Sequence, residues 1–248
     1  MTLQDFFAQN QKVALAFSGG VDSAYLLYCA KQAGADVTAY FVRTPFQPVF
    51  ELEDAMGLAK ELDATLKVLD VDILTDATVT ENPKNRCYFC KKRIFSAILE
   101  QAKKDGYSLV IDGTNASDDA SDRPGMVALA ELNVRSPLRE SGLTKGNIRR
   151  LSKEAGLFTH DKPAYACLAT RIPAGMPITR GLLAKVERSE AYLASLGFSD
   201  FRVRILGNGA KLELRREQLS LLLEHRETIL RELKKEFTTV LMDLEVRQ

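Results

Sequence analysis

Ala16-Phe17-Ser18-Gly19-Gly20-Val21-Asp22-Ser23 (AFSGGVDS) joins the apolar run Lys12 to Phe17 to the segment Val21 to Ala33, whose spacing predicts a helix ending at Gly34. Two adjacent glycines flanked by hydroxyls and closed by Asp-Ser build no core. Placed between a strand and a helix, they gather main-chain N–H groups at the positive end of a helix dipole, which is a cradle for an anion. The spacing and the lysine of the Walker loop are missing, and the stretch is not the Gly-x-Gly-x-x-Gly turn of dinucleotide folds.

Working outward, Asp36 to Val42 reads as a second strand, Val49 to Leu62 as a helix and Ala64 to Val71 as a third strand. Cys87 to Lys104 carries Ile94, Phe95, Ile98 and Leu99 on one helical face, and Ser108 to Asp112 follows as a strand. This alternation predicts an α/β fold: a parallel sheet with helices on both faces and ligands at the carboxyl ends of its strands. Gly113 to Pro124 (GTNASDDASDRP) is a loop, with short helices expected at Gly125 to Glu131 and Lys145 to Ala155. Leu157 to Thr179 holds three prolines and a glycine, too broken for regular structure and too long for a passive connector. Beyond it come a helix (Leu182 to Leu196), two strands (Phe201 to Leu206, Lys211 to Leu214) around a Gly207-Asn208-Gly209 hairpin turn, a helix (Glu217 to Glu236) and a strand (Phe237 to Leu244). The expected division is a nucleotide-binding and catalytic domain over 1–175 and a small α+β domain over 176–248.

The formal net charge of +1 gives no basic excess for wrapping nucleic acid, so no nucleic-acid partner is expected. The first residues, MTLQDFFAQNQK, contain no apolar leader core, and no uncharged run approaches the length of a membrane span, so a cytoplasmic location without membrane partners is expected. Cysteines at 29, 87, 90 and 167 are too few for a disulfide framework in a chain of 248 residues and point to reactive or metal-binding use. Cys87 and Cys90 open a helix beside Lys91, Lys92 and Arg93, where a thiol is reactive or ligating. They make half a zinc site, and only His160 and His225 could help complete one. Cys29, inside the first helix, reads as a small buried thiol.

Ser18 to Ser23 resembles the SGGxDS motif of the pyrophosphate-loop ATP pyrophosphatases. That resemblance implies that Ser18, Gly19, Gly20, Asp22 and Ser23 hold ATP, with Asp22 beside Mg2+, while a substrate oxygen attacks the α-phosphate. Asp112-Gly113-Thr114-Asn115 resembles a second motif lining the nucleotide, and an ordinary strand-end turn is the alternative. The series SGGVDS, NRCYFCKK, DGTNASDD, RPG, SPLRE, CLATRIP and FRVRILGNGAKLEL spans nearly the whole chain and resembles the LarE family of sulfur transferases.

The LarE resemblance implies adenylation of a carboxylate of pyridinium-3,5-biscarboxylic acid mononucleotide and its conversion to a thiocarboxylate, for a nickel-pincer nucleotide that serves lactate racemase and related enzymes. It makes Cys167 the sulfur-bearing residue. Two routes stay open: sacrifice of the Cys167 sulfur, leaving dehydroalanine, or an iron–sulfur cluster of the four-iron, four-sulfur type. Three thiolates suit such a cluster better than a structural zinc site, so Cys87, Cys90 and Cys167 are expected as its ligands. Arg171 matches a family position near the nucleotide phosphates; bracing of the loop is the alternative. Arg202 and Arg204 alternate on one strand, share a face, and match family positions for the mononucleotide phosphate, often at a subunit contact. Glu190 and Glu213 match acidic positions of that region, and the family implies a homo-oligomer. The rivals are a tRNA thiolase, which should carry a basic RNA-binding module, an amide-forming synthetase, which needs no cysteine set, and a non-catalytic metal-binding protein.

Overall fold

The structure is a computed structural model that describes residues 1–118 and 124–247. Asp119 and Arg123 of the quoted motifs lie outside the described residues. In chain order the elements are α1 (Leu3–Gln9), β1 (Lys12–Ala16), α2 (Val21–Gln32), β2 (Asp36–Arg43), α3 (Val49–Glu61), β3 (Thr65–Asp70), α4 (Ala77–Thr80), α5 (Arg86–Lys104) and β4 (Val110–Asp112). Then follow α6 (Pro124–Glu131), α7 (Pro137–Glu140), α8 (Lys145–Glu154), α9 (Arg180–Ser195), β5 (Arg202–Leu206), β6 (Gly209–Glu213), α10 (Leu219–Glu224), α11 (Arg226–Leu233) and β7 (Val240–Met242).

The chain divides into two compact units. One comprises Met1–Thr44, Val49–Ile73 and Asn85–Lys162; the other comprises Pro45–Pro48, Leu74–Lys84 and the chain from Pro163 onward.

The first unit is the expected parallel sheet, in the order β3-β2-β1-β4. β1, β2 and β4 are mostly apolar on both faces because both faces are covered, whereas the edge strand β3 buries none of its residues. On one side Val13, Leu15, Val37, Ala39 and Phe41 pack with Phe6, Leu26, Leu27, Leu58 and Ile148 of the helices; on the other Ala14, Tyr40, Val42 and Val110 pack with Phe95, Ile98 and Leu129. The chain runs outward from β1 through β2 to β3, then returns to add β4 on the far side of β1. The loops leaving β1 and β4 therefore open at the point where strand order reverses, the place where such sheets bind ligands.

In the second unit β5 and β6 form the expected antiparallel hairpin, with Arg202 opposite Glu213 and Leu206 opposite Gly209. β7 lies parallel to β6. The single helix read over Glu217 to Glu236 is broken: α10 ends and α11 begins at His225. The leucines of both halves are in phase, but α10 buries none of its residues while α11 buries Ile229 and Leu233. Without packing to hold the first half in line, periodicity alone does not keep one axis. No helix among the described residues is long and apolar enough to cross a membrane.

Candidate functional site

The loop after β1 is folded by its own hydroxyls. Ser23 Oγ accepts a hydrogen bond from Ser18 N (3.3 Å), donates to Gly20 O (3.2 Å) and lies 3.1 Å from Ser18 Oγ, which accepts from Gly20 N (3.4 Å). Gly19 has φ +70°, and a Cβ there would lie 3.2 Å from Ala55 Cβ on α3. Glycine meets both demands. Gly20 is the N-cap of α2 and supplies no side-chain cap, leaving the first N–H groups of that helix directed at the loop's concavity.

Gly113, at the carboxyl end of β4, closes the other side. A Cβ on it would sit 2.9 Å from Ser23 N and 3.2 Å from Ser23 Cα. Main chain of the β4 loop thus lies directly against the first turn of α2. Asp112 is buried and holds that loop: Oδ2 accepts from Thr114 Oγ1 (2.5 Å), and Oδ1 from Ser136 Oγ (2.6 Å) and Thr114 N (3.3 Å). Asn115 Oδ1 accepts from Ser117 N (2.8 Å), which turns the chain toward α8. The turn over Asp112–Asn115 thus places Gly113 against the first turn of α2.

Asp22, on the first turn of α2, pairs through Oδ2 with Lys145 Nζ at 2.5 Å. Its Oδ1 is buried and has no hydrogen-bond partner among the described residues. Burial pushes the Asp22 carboxyl above its ordinary range, against the opposing pull of Lys145. A buried carboxylate oxygen with no partner among the described residues, at the mouth of this glycine loop, fits Mg2+, which is bound by one or two carboxylates together with substrate phosphates. Lys145 was not among the residues singled out from sequence.

In the second unit Cys167 stands in the irregular segment, half-buried, as the residue before a short 3-10 turn over Leu168–Arg171. That segment is held at many points through its carbonyls. Arg202 donates to Ala164 O (2.8 Å), Arg171 to Ala166 O (2.7 Å), and Arg204 to Thr170 O (2.6 Å). Thr170 donates to Cys167 O from both N (2.9 Å) and Oγ1 (2.8 Å). The buried Asn82 amide donates to Pro173 O (2.8 Å) and Met176 O (3.1 Å).

Arg171 is 1% exposed. Its guanidinium forks onto Glu190, Nε to Oε1 at 2.8 Å and Nη2 to Oε2 at 3.0 Å. Glu190 also accepts from Tyr165 Oη (2.5 Å) and Val203 N (2.9 Å), so its charge is met from three sides. The Tyr165 ring lies between two cations, 4.6 Å from the Arg171 guanidinium carbon and 5.2 Å from that of Arg202. Burial, then the charge of Glu190, pushes the Tyr165 phenol up, so it remains a proton donor. Arg171 thus braces the cysteine loop. Arg202 is buried, whereas the Arg204 side chain is 36% exposed and pairs with Glu213 Oε1 at 2.5 Å. Glu213 is in turn 3.3 Å from Lys211 Nζ. Burial works to raise the Glu213 carboxyl, but the hydrogen bond and charge of Arg204, with Lys211, hold it below the ordinary range.

Cys87 and Cys90 lie one turn apart at the start of α5, Cys87 exposed and Cys90 half-buried. They belong to the first unit and Cys167 to the second. Among the described residues no group of three or more His, Cys, Asp or Glu side chains is gathered as a metal site. Cys29 is half-buried, and desolvation pushes its thiol up to about 11.

A family profile described as "Queuosine biosynthesis protein QueC" matches residues 12–88, the stretch from β1 to the start of α5. An uncharacterized protein of Synechocystis sp. is 38% identical over 88% of this chain and 81% of its own length. The pyridinium-3,5-bisthiocarboxylic acid mononucleotide synthase of Lactiplantibacillus plantarum is 34% identical over 94% of this chain and 86% of that protein. The tRNA-specific 2-thiouridylase MnmA of Pseudothermotoga lettingae is 28% identical over 61% of this chain but only 54% of that protein.

Proposed function

Because the chain belongs to the LarE family, that of the pyridinium-3,5-bisthiocarboxylic acid mononucleotide synthase, we propose that it activates a carboxylate of pyridinium-3,5-biscarboxylic acid mononucleotide with ATP and replaces an oxygen of that carboxylate by sulfur. It is an enzyme, an ATP-dependent sulfur transferase. The observation that carries the reading is the glycine cradle at the sheet's reversal point, with Gly113 pressed against the helix that Gly20 leaves uncapped.

Ser18, Gly19, Gly20 and Ser23 offer main-chain N–H groups and hydroxyls to the phosphates of ATP, and Asp112, Gly113 and Thr114 shape the nucleotide side. Asp22 would hold Mg2+, which when bound would neutralise charge on the phosphates. A substrate carboxylate oxygen attacks the α-phosphorus, pyrophosphate leaves, and the carbonyl becomes an acyl-adenylate with AMP as leaving group. The fixed donors act where negative charge develops. The Cys167 thiolate then attacks the acyl carbon and AMP leaves with the C–O electron pair. Loss of the Cys167 Cα proton and cleavage of its Cβ–S bond leave sulfur on the substrate and dehydroalanine on the chain. Arg171, Glu190 and Arg202 act through the loop that presents Cys167. The more exposed Arg204, set by Glu213, meets the substrate phosphate.

By the same reading residues 1–175 bind ATP and carry the chemistry, while 176–248 take the substrate phosphate and build a homo-oligomer. The iron–sulfur route needs Cys87, Cys90 and Cys167 on one cluster. Iron and sulfide analysis of anaerobically purified protein decides between the routes.

The function itself is tested by pyrophosphate release with Mg·ATP. Release should require the pyridinium dicarboxylate mononucleotide and should not appear with tRNA or ammonium in its place. Intact ATP binding without substrate-dependent pyrophosphate would reject an adenylating role.

A further inference from the structure

Lys145 is an anomaly at its own position. It is the first residue of α8, a ten-residue helix, where a cation opposes the helix dipole and lowers stability. Its main chain is fixed: Thr144 and Asn147 form a complete capping box, and Lys145 N donates to Ser117 Oγ at 3.0 Å. Only the side chain is free to move, and it reaches Asp22, on the first turn of a second helix, at 2.5 Å. Both partners keep some solvent contact, with side-chain exposures of 35% and 20%. Among the described residues the contact leaves the other Asp22 oxygen buried and without a hydrogen-bond partner, so within them the pair is incomplete as a structural ion pair.

We propose that Lys145 is an exchangeable counter-ion: without nucleotide it neutralises Asp22, and when Mg·ATP binds it releases that carboxylate and transfers to the β/γ-phosphate oxygens. This rests on the ATP reading of the same loop. An ammonium on a flexible four-carbon stem suits such a transfer, because it carries a point charge with donors in any direction. In its first position Lys145 competes with a divalent cation for Asp22. In its second it adds positive charge where the N-terminus of α2 already favours an anion. The same side chain therefore weakens metal binding to the nucleotide-free enzyme and strengthens nucleotide binding.

Those opposite signs make the test. In the full chain, Lys145→Met should raise the affinity for Mn2+ alone, followed by electron paramagnetic resonance, by about threefold or more, and should weaken Mg·ATP, followed by calorimetry, by about tenfold. Lys145→Arg should keep Mg·ATP within about threefold of wild type, which guards against a Met variant that merely misfolds. If wild type binds Mg·ATP and the two affinities do not move in opposite directions in Lys145→Met, the exchange is wrong and the ATP reading stands. If wild type binds no Mg·ATP, both fall.

Discussion

The two most consequential residues lack reactive groups or are hidden from solvent. Gly113 has its missing Cβ 2.9 Å from a main-chain nitrogen, which cannot rotate away as a side chain can. Gly113→Ala should cost about 1–3 kcal/mol of stability through overpacking and, by pushing the β4 loop off α2, weaken ATP binding, both read by thermal unfolding with and without nucleotide. Glu190→Gln should cost about 3–5 kcal/mol, because it strands the charge of Arg171 in a site 1% open to water. Urea unfolding measures that loss, and faster alkylation of Cys167 would show the loop loosening first. The glycine loop stood out in the sequence because adjacent glycines contribute little to packing, while Cys167 was singled out by the family resemblance of its segment. The roles of Glu190 and Arg171 as partners were not legible, because nothing in a linear chain shows residues nineteen apart forking onto each other. Lys145 left one trace, a cation at a predicted helix start. That local electrostatic fault has a reason only in three dimensions.

Element boundaries were legible wherever packing and pattern agree. β1, α2, β2, α3 and α5 fall within a residue or two of the reading because each buries apolar residues against the core, and β3 does so with Leu66 and Leu69 only half-buried against it. The failure at His225 has the complementary cause: α10 has the right leucines and buries none of them. Thr144→Ala removes the capping box of α8 and should cost about 1 kcal/mol, and because Lys145 follows it directly, nucleotide affinity should fall with it in a calorimetric titration. The cysteines should also rank by their elements under a limiting alkylating agent, with mass mapping of the sites. Cys87, exposed at the start of α5, should react first, and Cys29, within α2 and with its thiol pushed up to about 11, last. A fast Cys29 would contradict the burial of α2.

Across the whole molecule, stability should depend on pH through paired carboxylates. Asp105, hydrogen-bonded to Lys67 and Tyr40, and Glu213, held by Arg204 and Lys211 against its burial, both lie below the ordinary carboxylate range. A depressed carboxyl stabilises the fold above its unfolded value and loses that contribution as pH falls through its folded value. Asp22, raised by burial, acts in the opposite sense. Asp5, Asp70, Glu100, Glu131 and Asp243 are lowered as well, by hydrogen bonds to their partners, so lowered carboxyls outweigh the raised one and predict a urea midpoint that is flat near neutrality and declines below about pH 4. In the proposed reaction ATP activates the carboxylate at the glycine loop and Cys167 delivers the sulfur. The most direct measurement follows pyrophosphate and thiocarboxylate together, in wild type and in Cys167→Ala, with Mg·ATP and the pyridinium dicarboxylate mononucleotide. Wild type should form both products, and Cys167→Ala should still release pyrophosphate while forming no thiocarboxylate. Thiocarboxylate from the Cys167→Ala protein, or none from wild type despite pyrophosphate release, would contradict the account.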